Sequence, residues 1–431
     1  MEKIPTTDDD LTVEYLNSVL TGFQTITSVT VKHPSTYGTT STVRKIFLTY
    51  DIKKKNGGLS PASIVAKFGK PANEVLFNQS PEEDFLRNGE IYKKEVMINK
   101  FLNGRDIVPT VYYAICNDIQ DFVMLMEDCS HKDDVKGKDQ SIMNIVGVDE
   151  ARLIIPKLAR FHAEFYHRNS GSHISKGILG GNTDLFMKEK GLDWIPECFT
   201  VFYYVTFRTE SSKVKELDEF TTTSDITIRK FAKRVDVMWH KAFDIMSGKL
   251  EKLSEIYAGY NIPDKMIAIK QGKRSVEENV YDSMKLFTEE AALTLLHGDF
   301  RSDNILVYEN QIKFIDWQFA RIGCGCFDLS AFISNSFDLK DLVDHEEELL
   351  ELYVSVLQNN GCDWLSLSDI RRWYSHSMWI SFKRALDFVV YVQQLSTGEA
   401  HNDVLKFKVL EEKMMQKLAV CVYRLYKNFY A

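Results

Sequence analysis

The spacing of apolar positions changes character once along the chain. Up to about residue 128, apolar residues come in short runs of strand length. Thr25 to Lys32 and Val43 to Tyr50 flank the turn-rich PSTYGTTST and read as a hairpin. A charged, glycine-containing connection, KKKNGG, leads to the apolar run Ser63 to Phe68, which carries Lys67 near its end. A helical pattern from Gly89 to Leu102 follows, then two further strand-like runs, Thr110 to Ile115 and Phe122 to Met126. Five strands with one helix between the third and fourth predict a small α+β unit, preceded by a helical segment from Asp10 to Leu20.

Beyond the polar stretch CSHKDDVKGKDQS the period becomes helical. Ala151, Ile154, Leu158, Phe161 and Phe165 repeat at three- and four-residue spacing, and Pro156 is expected in the first turns of that helix or at a kink. Residues 170 to 290 are aromatic and irregular, with helical patches at Phe231 to Met246 and Val276 to Phe287. Three long helical patterns finish the chain: Leu339 to Asn359, Ser368 to Leu395 and Asn402 to Tyr430. The pattern divides the chain into an N-terminal unit (1–128), a linker (129–148) and a mostly helical C-terminal unit (149–431).

Composition narrows the classes. With 431 residues and 44% hydrophobic content, the chain can bury sizeable cores. The 53 basic and 61 acidic residues give a net charge of −8 and are mixed throughout, so no basic face points to nucleic acid or anionic lipid. No apolar run approaches the roughly 20 residues of a membrane helix, and MEKIPTTDDD lacks a signal or transit pattern; a cytoplasmic protein without membrane insertion or an evident protein partner is expected. Of seven cysteines only Cys324 and Cys326, in GCGC, are close together, which predicts free thiols rather than a zinc site.

The candidate chemistry lies in LLHGDFRSDNILVYENQIKFIDWQ, residues 295 to 318. A polar loop, His297 to Asn304, interrupts an apolar strand-loop-strand unit, and Gln311 to Ile315 returns to deliver Asp316. Phosphoryl transfer needs a carboxylate near the acceptor hydroxyl and separate oxygen ligands for magnesium on the phosphates. Asp299, Asn304 five residues on and Asp316 twelve further supply these groups at the spacing of kinase sites.

HGDFRSDN followed by FIDWQ and DLSAF resembles the aminoglycoside phosphotransferase and choline kinase-like superfamily. Length and layout are most similar to its ecdysteroid kinase-like family, and the wording also resembles phosphotransferase domains associated with acyl-CoA dehydrogenases. The resemblance implies a bilobal, α+β, protein-kinase-like fold that uses ATP and Mg2+ to phosphorylate a small-molecule hydroxyl. It makes Asp299 the catalytic base, and Asn304 and Asp316 the metal ligands. Lys67, ending SIVAK, would grip the nucleotide phosphates, with Glu95 as its partner and Glu90 as the rival. Gly38 and Thr39 would cover the phosphates, and main-chain groups near Met126 and Glu127 would meet adenine. Asp328 in CFDLSAF would brace the loop, while Arg301 and Asp303 are open to a substrate contact. His162 in LARFHAEF and His297 read as packed residues.

His297 comes 169 positions after Asp128, and HRD, DFG and APE sequences are absent, so a small acceptor is favoured over a protein. The aromatics Phe199, Phe202, Tyr203, Tyr204 and Phe207, with Trp373, Trp379 and Phe382, are mostly core by type. A few lining a pocket would suit a lipophilic alcohol, sterol or hydroxyacyl compound. The alternatives are a divergent protein kinase and a non-catalytic nucleotide-binding scaffold.

Overall fold

Five short runs rich in β-branched and aromatic residues pair into one antiparallel sheet. They are β1 (Ile26–Lys32), β2 (Ser41–Tyr50), β3 (Ser63–Gly69), β4 (Val111–Cys116) and β5 (Phe122–Glu127), in the order β1-β2-β3-β5-β4. Helix α1 (Val13–Val19) precedes them, capped by the Thr12 hydroxyl, which accepts the Tyr15 N–H. Helix α2 (Pro81–Leu102) joins β3 to β4 and begins before the expected Gly89. The structure, a computed structural model, describes residues 4–32, 41–51, 60–69, 81–117, 121–129, 146–166, 225–308, 311–397 and 404–431. Gly38 and Thr39, and the aromatics between 199 and 207, lie outside these residues.

The described residues form two units, Met1–Ile142 with Asp303–Ala320, and Met143–Ser302 with Arg321–Ala431. In the first, β5 carries core on both faces. Val123 and Leu125 cluster with Ile46, Ile64, Ala66, Phe68 and Leu16 of α1, whereas Phe122 and Met124 cluster with Tyr92 and Val96 of α2. Each fully buried side chain of this size contributes roughly 1.5–3 kcal/mol, so the sheet depends on having both faces covered. The period of two along β3 decides where Lys67 goes. Its neighbours Ala66 and Phe68 join the α1 side, and Lys67, opposite Met124, faces α2.

The hairpin β7 (Ile305–Tyr308) and β8 (Gln311–Phe314) belongs to this unit as well. Phe314 N–H donates to the Ile107 carbonyl (2.6 Å), and Lys313 Nζ to that of Val108 (3.1 Å). The segment after α2 therefore anchors the end of β8, from which Asp316 emerges.

The second unit is helical. Helix α3 (Val148–Phe165) buries Ala151, Ile154, Leu158, Phe161 and Phe165, the stripe read from the sequence. Of the two placements expected for Pro156, the first turns are ruled out: it sits in the interior of this helix. Then come α4 (Asp225–Ser247), α5 (Leu250–Ile256), α6 (Ile262–Gln271) and α7 (Val276–Glu289). The last starts at a capping box in which Ser275 accepts the Glu278 N–H and Glu278 accepts that of Ser275. Strand β6 (Thr294–Leu296) pairs with β9 (Arg321–Gly323), not with β7, so the two apolar runs flanking the polar loop lie in different sheets. Helix α8 (Cys326–Ser336) is buried at every residue except Asn335, as a helix apolar around most of its circumference must be. The chain closes with α9 (Leu339–Asn359), α10 (Leu367–Thr397), α11 (Val404–Leu425) and a π-helical turn, Tyr426–Tyr430.

The α+β expectation for a kinase-like fold is met: an antiparallel sheet with one crossing helix, followed by a mainly helical region. Among the described residues no helix is long and apolar enough to cross a membrane. The six described cysteines are free thiols.

Candidate active site

Three residues far apart in sequence meet in the first unit. Lys67 Nζ donates to Glu95 Oε1 and, at 2.7 Å, to Asp316 Oδ1. Glu95 and Lys67 are buried, whereas Asp316 keeps about a quarter of its side chain exposed (24%). Asn99 Nδ2 donates to the Glu95 carbonyl one turn along α2. Burial alone would lower the Lys67 pKa, but the Asp316 and Glu95 carboxylates outweigh it and hold the ammonium above its usual value. Glu95 is pushed up to about 7, first by burial, with Lys67 pulling it down and Asp316 pushing it further up. Its Oε2 is buried without a hydrogen-bond partner among the described residues. One cation therefore serves two carboxylates, and the more deeply buried one bears the cost. Since Glu95 binds its proton more tightly folded than unfolded, this group favours folding at low pH, and that contribution is lost as pH rises from about 4.5 to about 7.

Asp316 occupies the left-handed region at φ 65°, a conformation that costs a non-glycine residue about 1–3 kcal/mol and clusters at functional sites. Its Oδ2 accepts from Gln318 Nε2 (3.2 Å). Asn304 lies at the same open end of the β7–β8 hairpin, where its carbonyl accepts the Ile315 N–H (2.9 Å). An amide oxygen and a partly exposed carboxylate are hard donors, the kind magnesium takes in ones and twos alongside phosphate oxygens and water. No cluster of three or more His, Cys, Asp or Glu side chains suited to a metal occurs among the described residues.

At the end of β5, Glu127 is tied to Thr110. Its Oε2 accepts the Thr110 N–H (2.9 Å) and hydroxyl (3.1 Å), and its own N–H donates to the Thr110 carbonyl (2.8 Å). The adjacent Asp128 accepts from Ser63 Oγ and Lys45 Nζ.

Asp299 belongs to the second unit, on a loop gripped from below. The buried Asp328, on α8, accepts the His297 N–H on Oδ2 (2.7 Å) and the Gly298 N–H on Oδ1 (2.9 Å). Burial would raise the Asp328 pKa, but the His162 hydrogen bond, the His162 and His297 charges and the Gly298 N–H hold it below its usual value. His162 Nε2 lies 3.3 Å from Asp328 and its Nδ1 2.7 Å from the Tyr353 hydroxyl. Both sequence histidines are thus packed: His162 and His297 are fully buried, and His297 Nδ1 accepts the Asp299 N–H (3.3 Å). Gly325 of GCGC stands where a Cβ would come within 2.3 Å of the Tyr166 hydroxyl and 2.6 Å of that of Tyr353, so this polar cluster leaves room only for glycine.

The Asp328 carboxylate is expected to contribute stability that is present above pH about 3.8 and lost as pH falls through its depressed folded value. Asp328→Asn should therefore lower the unfolding free energy obtained from urea titration near neutral pH, by roughly 1–3 kcal/mol for the weakened contacts. It should also remove part of the acid sensitivity; identical wild-type and variant midpoints between pH 7 and 3 would contradict this.

Asp299 itself is flanked by two guanidinium groups. Arg301 Nε lies 3.3 Å from Oδ2 and Arg384 Nη1 3.8 Å from Oδ1. Arg384, on α10, also donates to the Gly298 carbonyl (2.6 Å). No sequence signal marked Arg384, and only the tertiary fold brings it to the loop. Gln318, two residues after Asp316, was likewise missed, although its place in FIDWQ offered it. Trp373, Trp379 and Phe382 are all buried; Phe382 packs against Trp379 (5.8 Å) and Trp239 (5.2 Å), so these aromatics are core.

The described chain thus pairs an antiparallel sheet crossed by one helix with a mainly helical unit, and each unit carries one of the two residue groups. Over residues 202–363 the chain matches the model of the ecdysteroid kinase-like family, the family that its length and layout resemble. That span contains Asp299, Asn304, Asp316 and Asp328 but neither Lys67 nor Glu95. Among solved structures, choline kinase from Cryptosporidium parvum is similar at 13% identity and a TM-score of 0.45, with 95% of this chain and 94% of that one covered. A microcompartment-associated aminopropanol kinase is similar at 12% identity and a TM-score of 0.39, with 95% of each chain covered. The GDP complex of aminoglycoside 2'-phosphotransferase-IIIa is similar at 13% identity and a TM-score of 0.40, with 93% and 98% covered. A search among curated proteins finds no match.

Proposed function

We propose that the protein is an ATP-dependent phosphotransferase that moves the γ-phosphoryl group to a hydroxyl of a small molecule. The observation that carries this reading is the meeting of Lys67, Glu95 and Asp316, since an ammonium held by a buried carboxylate beside a second, partly exposed one is an arrangement suited to nucleotide phosphates. The family match over 202–363 supports it as well, since that span carries Asp299, Asn304 and Asp316.

In this reading Lys67 orients the α- and β-phosphates and Glu95 fixes the lysine. Asn304 and Asp316 would hold Mg2+, which when bound neutralises charge on the phosphates. Asp299 orients the acceptor hydroxyl and takes up its proton as the acceptor oxygen bonds to phosphorus and the bond to the ADP oxygen breaks. Main-chain groups near Met126 and Glu127 meet adenine; since the Glu127 N–H is committed to Thr110, the other groups of this strand end must supply the donor. Gly38 and Thr39 would close over the phosphates. The acceptor class we favour is a lipophilic alcohol, sterol or hydroxyacyl compound.

The test is to incubate the purified protein with ATP, magnesium and a metabolite extract enriched in lipophilic alcohols and hydroxyacyl compounds, and to search by mass spectrometry for species that gain one phosphoryl group. Phosphorylated alcohols are the expected result. Neither ADP formation nor a phosphorylated product would overturn the reading, and phosphorylation of protein acceptors alone would favour a protein kinase.

A further inference from the structure

We propose that Arg384 is the positioning residue of the Asp299 loop, fixing the Gly298–Asp299 peptide and steering the Asp299 carboxylate from helix α10. This rests on the phosphotransfer reading above, in which Asp299 meets the acceptor. Gly298 has φ 84°, the left-handed region that glycine enters at no steric cost. A glycine in such a loop imposes little conformational preference of its own, so its peptide planes are set by whatever holds them. The N–H of Gly298 is held by Asp328 Oδ1 (2.9 Å), and its carbonyl by Arg384 Nη2 (2.6 Å). The two anchors are oppositely charged and come from different helices, α8 and α10. The two peptide groups flanking Gly298 are thus each held once, and the second of them leads directly into Asp299.

The same guanidinium reaches one step further. At 3.8 Å, Arg384 Nη1 is too far from Asp299 Oδ1 for a hydrogen bond, but close enough for its charge to favour one carboxylate orientation. The planar fork of arginine can address a carbonyl and the next residue's carboxylate at once, which the single ammonium of lysine cannot do in the same geometry. Helix α10 is held in the second unit by Trp379 and Phe382, which are fully buried. Arg384 is only partly buried, so the helix does not depend on it for its place. The effect of removing it should therefore fall on the loop, and a displacement of about 1 Å at a reacting group can cost on the order of 100-fold in rate.

The experiment compares wild type, Arg384→Ala, Arg384→Lys and, as a control on the same helix, Arg371→Ala, whose exposed side chain pairs with Glu347. ADP release from ATP and magnesium is measured with water as acceptor and with a panel of lipophilic alcohols. ADP affinity and thermal midpoint are measured in parallel. The expected result for Arg384→Ala is a kcat lowered roughly 10- to 100-fold, with ADP affinity and thermal midpoint near wild type. Added ethylguanidinium should restore part of that rate. Arg384→Lys should be intermediate and Arg371→Ala unchanged. A wild-type rate in Arg384→Ala, or a loss that tracks the thermal midpoint and that ethylguanidinium does not relieve, would overturn the inference alone. Absence of ADP release from the wild type would overturn the phosphotransfer reading and this inference together.

Discussion

Asp299→Ala is expected to lower phosphoryl transfer by about 100-fold or more, the ordinary contribution of a positioned base, while nucleotide affinity stays near wild type. Asp299 is not part of the hydrophobic core, and the loop that carries it is held by main-chain bonds to Asp328 and Arg384. The substitution should therefore leave the loop in place. Asp299→Asn is the sharper variant, since it keeps the shape and the hydrogen-bonding reach but neither the charge nor the basicity. If the carboxylate only orients the hydroxyl, Asn should retain part of the rate that Ala loses; if it also takes the proton, the two should be similarly slow. Turnover by both variants within a few-fold of wild type would remove Asp299 from the chemistry.

The parts of the site legible in the sequence are those encoded by local period. The alternation of SIVAKF puts Lys67 on the face opposite Ala66 and Phe68. Helix geometry allows only one of Glu95 and Glu90, since five residues separate them, about 140° around the axis, but it leaves open which of the two faces the lysine. The structure places Glu95 against Lys67, and the Glu90 side chain lies outside the described residues. Helix α6 was also within reach, since Ile262, Met266 and Ile269 are buried at helical spacing; the aromatic surroundings obscured it. What could not be read is contact between distant segments. Strand β6 pairs with β9 rather than with the strand after the loop, because three-residue strands carry too little pattern to specify a partner. Arg384 looks like any helix arginine until the fold brings it to Gly298. Pro156 breaks a local rule inside a helix whose stripe of buried residues holds it in place, a case of tertiary packing overriding propensity.

Removing Lys67 should have two separable effects, and separating them tests whether the lysine is there for the fold or for the nucleotide. In Lys67→Met the Glu95 carboxylate loses the ammonium it is paired with while staying fully buried, with Oε2 already without a hydrogen-bond partner among the described residues. Breaking a buried pair from one side costs roughly 3–5 kcal/mol, part of which Glu95 will escape by taking up a proton, so the loss should grow as pH rises past about 7. Lys67→Met combined with Glu95→Gln removes both charges, and replacing both partners is far less costly than removing one. The double variant should therefore regain most of the denaturant midpoint and lose its pH dependence. Its phosphoryl-transfer rate should stay roughly 100- to 1000-fold below wild type, the scale of losing one preorganised charge at a reacting phosphate. If instead catalysis returned together with stability, Lys67 would be a structural cation in the sheet, and the nucleotide would have to be held by other groups.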